Sequence, residues 1–97
     1  MECDVINRLR EERRLRELRI KQKAAQVYAT FNKDERMLVR FGMFPHDKMV
    51  QADKELIAEW TEHEGQPPDS EDLRDISRLL AVGIMDSANA GPDKMVV

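Results

Sequence analysis

From Val5 to Phe31 the chain runs 27 residues without a glycine or a proline. Its apolar residues recur at helical spacing, so the stretch predicts one helix roughly 40 Å long at about 1.5 Å per residue. At about 100° per residue, Val5, Ile6, Leu9, Ile20, Ala24, Val27 and Phe31 form a single stripe, the face expected to meet the core. Arg13 and Arg16 interrupt that stripe. A second, weaker seam of Leu15, Leu18, Gln22, Ala25 and Ala29 lies on the opposite side. A helix apolar on two sides has two neighbours, and this seam is assigned to a second copy of the chain. It spans barely two heptads, too short to define a coiled coil by pattern alone.

The remaining punctuation divides the chain into three more helices. Asn32 followed by Glu35 reads as a capping box opening a short helix. Gly42 closes it, and Pro45 suits the first turn of the next. Met49, Val50, Leu56, Ile57 and Trp60 share one face up to Gly65, and Pro67-Pro68 enforces a loop. Asp69 or Ser70 caps the last helix, with Glu71 and Asp72 in its first turn. Leu73, Ile76, Leu80, Gly83, Ile84 and Ser87 make its inner face. A glycine there costs about 1 kcal/mol against alanine, which a close helix approach would offset. No strand-like alternation and no internal repeat occurs. The expectation is an all-α bundle over 1–91, with helices near 4–31, 33–41, 46–64 and 70–90, and a flexible tail at 92–97.

Composition narrows the function class. Of the 97 residues, 36% are charged, against a usual share of about 25%, which suits helices with long solvated faces. The single cysteine, Cys3, supports no intramolecular disulfide and reads as an idle thiol. The longest apolar run, Leu79–Met85, is seven residues, far below the roughly 20 needed to span a bilayer. No apolar segment follows the early basic residues as in a secretory signal. The expectation is a soluble, cytoplasmic protein without a membrane partner.

Charge is strongly segregated beneath a net value of −3. Residues 8–23 carry eight basic side chains against three acids, and residues 53–75 nine acids against two bases. The basic stretch, through Arg10, Arg14 and Lys21, is the candidate for nucleic-acid contact. Its interleaved glutamates and the low overall pI, near 5.4, favour a solvated or acid-paired face instead. The acidic stretch has a sharper alternative, an inhibitor surface imitating nucleic acid. Glu62 and Glu64 sit at a helix C-terminus, where they oppose the macrodipole, so helix stability alone does not account for them.

Candidate chemistry is sparse. Asp53 interrupts the apolar face of the third helix, as Arg13 and Arg16 interrupt that of the first. A buried carboxylate requires a partner, so Asp53 is expected to pair with Arg13 or Arg16. An acid–base pair with His46, one heptad earlier, is the less favoured option. Glu59 and His63 are too few to hold a metal. No phosphate-binding loop, zinc-spaced cluster or nucleophile motif is present. Met37, Met43 and Met49 with Phe41 and Phe44 cluster around Gly42, read as core between the second and third helices, with a partner groove as the alternative. These readings converge on a non-enzymatic helical interaction protein without cofactor or metal, a homodimer joined through its first helix. A nucleic-acid-associated regulator is the runner-up.

Overall fold

A computed structural model describes residues 2–90, with side chains from Asp4 onward. Four helices follow in order: α1 (Glu2–Ala29), α2 (Lys33–Val39), α3 (His46–Glu64) and α4 (Ser70–Asn89). The all-α bundle with a long first helix is as expected, with small shifts at the ends. The first helix stops at Ala29 and the second at Val39, each two residues early. The tail assigned to 92–97 lies outside the described residues.

Local chemistry sets the boundaries. Asn32 accepts from the Glu35 amide at 2.8 Å, and Glu35 accepts from the Asn32 amide at 2.9 Å, closing the capping box of α2. Asp69 and Asp72 form the equivalent box on α4. Pro45 stands one position earlier than expected, at the N-cap of α3 rather than in its first turn. Gly65 ends α3 at φ +77°, a left-handed conformation in which a Cβ would be strained.

Contacts fix the helix directions. Lys48 at the start of α3 donates to the Thr30 carbonyl at 2.8 Å, while Glu64 at its end meets Arg16 at 2.8 Å, so α3 runs antiparallel to α1. Ile20 and Ile76 line one cleft and Ala24 meets Gly83 further along, so α4 runs parallel to α1. The core lies between them: Ile20, Ala24, Tyr28 and Phe31 of α1, Ala52 and Leu56 of α3, and Ile76, Leu80, Ile84 and Ala88 of α4. Gly83 explains itself in this packing. A Cβ placed there would stand 2.6 Å from the Ala24 Cβ, below any ordinary contact distance.

The apolar stripe of α1 is only half covered. Arg16 is the first of its described residues to be even partly buried, and Ile20 the first to be fully so. Every residue from Asp4 to Leu15 is exposed, a projection of about 18 Å. Val5, Ile6 and Leu9 were expected against the core and are instead 58, 48 and 59% exposed. The reason is length: α3 ends and α4 begins near Arg16, so no described helix lies beside the first three turns. The Cα radius of gyration is 15.3 Å, against about 12 Å for a compact chain of this size.

Candidate interaction surface

The projecting end of α1 meets the bundle at a corner built from the C-terminus of α3 and the N-terminus of α4. Arg16 organises it. Its Nε donates to Glu64 Oε1 at 2.8 Å and its guanidinium lies 4.9 Å from the Trp60 ring centroid. The arginine that interrupts the apolar stripe therefore caps the last covered turn, resting a planar cation on an aromatic face. Glu64 also gains its explanation: the Arg16 hydrogen bond lowers its pKa below the usual carboxylate value, and Glu64 in turn raises that of Arg16. Beside them opens a groove of about 450 Å³ with Ile20, Trp60, Ile76 and Leu79 in its wall. Glu17, Glu71, Asp72 and Asp75 rim it, with Arg13 and Arg78 among them.

The expected pairing of Asp53 with Arg13 or Arg16 is corrected by this geometry. Arg16 is taken by Glu64, and Arg13 is exposed at the far end of α3 from Asp53. The described partner of Asp53 is Ser77 of α4, whose Oγ donates to Oδ2 at 3.4 Å. Its Oδ1 is buried without a hydrogen bond, and burial raises the Asp53 pKa while the Ser77 bond partly offsets this. His46 is exposed at the start of α3 and plays no part. Matching interruptions in two apolar faces did not identify partners, because helix register decides which interruptions face one another.

The cluster around Gly42 is corrected as well. Met49 and Phe44 pack against the core, but Met37, Leu38, Met43 and Phe41 are exposed, Phe41 at 77%. The start of α2 is tied to both of its neighbours. Lys48 bridges the Thr30 carbonyl and Glu35, the latter at 2.6 Å, and Arg36 donates to the Phe31 carbonyl at 3.1 Å while lying over the Tyr28 ring. These contacts fix α2 against its neighbours and leave the four apolar side chains outside the core.

The seam residues Leu15, Leu18, Gln22, Ala25 and Ala29 are all exposed, as are Arg10, Arg14 and Lys21. Arg14 pairs with Glu11 at 3.4 Å on its own helix. Lys23 reaches Glu55 of α3 at 3.2 Å, so part of the basic stretch does face the acidic one within the chain. Among the described residues no group of three or more His, Cys, Asp or Glu is placed to hold a metal. No described helix is long and apolar enough to cross a membrane. Protein-family models, curated proteins and solved structures contain no match to the chain.

Proposed function

We propose that this protein is a non-enzymatic interaction protein of the cytoplasm that self-associates through α1. One observation carries the reading: Val5, Ile6 and Leu9 continue the core-facing stripe of α1 beyond the point where any other described helix covers it. An isolated helical segment of about 12 residues is marginal in water, and burial of its apolar face is the ordinary way such a segment is held. The seam of Leu15, Leu18, Gln22, Ala25 and Ala29, uncovered on the opposite side, is a second surface on the same helix. Exposed Met37, Leu38, Phe41 and Met43 add a further contact area at the other end of the bundle.

Light scattering on the full chain at tens of micromolar tests the reading. The expected mass is about twice 11.3 kDa, and Ile6→Asp with Leu9→Asp should return it to that of a single chain. A monomer throughout would refute self-association. Nucleic-acid association through Arg10, Arg14 and Lys21 is supported by their exposure and opposed by the glutamates between them. The expected outcome is no complex tighter than about 10 µM at physiological salt. A tight complex whose affinity falls steeply with salt would put that reading first.

A further inference from the structure

We infer that the groove between α2 and the end of α1 docks an acidic, apolar peptide segment of a partner protein. It lies at the opposite end of the bundle from the projection of α1. It does not depend on self-association through that projection.

The groove has a volume of about 400 Å³ and is lined by Phe31, Lys33, Arg36, Met37 and Arg40. Helical spacing explains the set. Lys33, Met37 and Arg40 follow one another at steps of four and three residues, so they share one face of α2. Arg36 borders that face on the side of α1, where it donates to the Phe31 carbonyl. Phe31 is buried beneath, while Met37 is 53% exposed and joins the groove to the uncovered Leu38, Phe41 and Met43. The face therefore offers apolar surface bordered by cations.

Charge identifies the occupant. Every ionisable residue of the lining is a cation. Two other grooves of similar volume carry both signs: Lys23 and Lys48 stand with Asp47 and Glu55 in one, Arg13 with Glu71 and Asp75 in the other. Lys33 makes no ion pair among the described residues. It also holds the first position of α2, where a cation opposes the helix dipole, so helix stability does not account for it. Arg36 donates to the neutral carbonyls of Phe31 and Ala29 and lies 5.0 Å from the Tyr28 ring centroid. These contacts hold its guanidinium in place without neutralising it, and leave further N–H donors for a carboxylate.

Neighbouring acids limit the shape of the anion. Asp34 is exposed on the adjoining face of α2, and Asp47 is exposed at the start of α3. A broad anionic surface, such as a bilayer or a nucleic-acid backbone, would meet both. A peptide seated in the groove avoids them, sets its carboxylates beside Lys33 and Arg36, and covers Met37 with its apolar side chains. The contact is small, so binding is weak and reversible.

Fluorescence polarisation at physiological salt tests the assignment. The probe is a short labelled peptide whose glutamates recur one helical turn apart, with leucine and phenylalanine between them. It should bind the full chain with a Kd of about 100 µM or tighter. The same peptide with glutamine for glutamate should bind at least tenfold more weakly. Lys33→Glu should weaken binding at least tenfold, and Met37→Ser at least threefold. An acid in the first turn favours a helix, so Lys33→Glu should keep the fold, as a thermal melt checks. Arg10→Gln with Arg14→Gln should leave binding unchanged, and so should Ile6→Asp with Leu9→Asp, which removes the self-association proposed above. No binding, equal binding of the glutamine peptide, or a loss caused by the Arg10 and Arg14 changes rather than by Lys33→Glu would overturn the proposal. So would tighter, Lys33-dependent binding of phosphatidylserine vesicles or of an oligonucleotide than of the peptide.

Discussion

Arg16 and Asp53 occupy equivalent places in the sequence, each a charge within an apolar face, yet the fold treats them oppositely. Arg16 keeps its charge against Glu64 and an aromatic ring. Asp53 keeps a long bond to Ser77 and an oxygen without a partner. Their acid titrations therefore run in opposite directions. Glu64 and Glu35 have folded pKa values below their ordinary value of 4.5, so their stabilisation is full above about pH 4.5 and is lost as pH falls through the folded values. Asp53 is raised above 3.8, so its contribution is present in acid and disappears as pH rises through its folded value. Asp53→Asn retains an acceptor for Ser77 without the charge. It should stabilise the protein at pH 7 by about 0.5 kcal/mol, with the gain vanishing towards pH 3.5. Urea titrations at both pH values measure it, and a loss of stability at pH 7 would show that the carboxylate is needed ionised. That both residues were unusual was legible in the sequence. Their partners were not, since Glu64 and Asp53 lie three turns apart on α3 and only the packing register decides which of them meets Arg16 and which meets α4.

At the scale of the helix, the local signals were the most legible. The capping box at Asn32 and Glu35, the cap at Asp69, the left-handed glycine at Gly42 and the close approach at Gly83 follow from residues within a few positions of one another or from the absence of a single Cβ. Gly83→Ala gains about 1 kcal/mol of helix propensity, but its Cβ would meet that of Ala24 at 2.6 Å. Two Cβ atoms cannot rotate away, so the helices must separate. The expected net loss is about 1–2 kcal/mol in urea denaturation, and Gly83→Ala with Ala24→Gly should recover most of it. A neutral single substitution would mean that α1 and α4 are not tightly apposed. What the sequence concealed was coverage. Periodicity marks the face of a helix that is apolar but not how far along it a neighbour extends, so Val5, Ile6 and Leu9 read like Ile20 and Ala24. The Met and Phe residues around Gly42 misled for a related reason: a seven-residue helix at the bundle end has too little facing surface to bury both sides. Phe41→Ser should accordingly change stability by less than about 0.5 kcal/mol, checked by thermal melting; a loss above about 2 kcal/mol would return Phe41 to the core.

For the molecule as a whole, segregated charge and uneven coverage describe one asymmetry. The bundle is packed along the second half of α1, and the first half extends from an acidic corner, giving a particle 50 Å long and 19 Å thick. The order of charges along the chain exposed their segregation, but not that the internal pairs would consume only its central part. The central claim is that a second copy covers the projection. Hydrogen exchange of the amides from about Ile6 to Arg16, followed across protein concentration, tests this most directly. In a single chain no described element covers these turns, so they should exchange within a fraying helix end. Their protection should rise at least tenfold between about 1 µM and several hundred micromolar, while amides of Leu80 and Ile84 in the core remain unchanged. Exchange at residues 6–16 that is equally fast at every concentration would contradict the account.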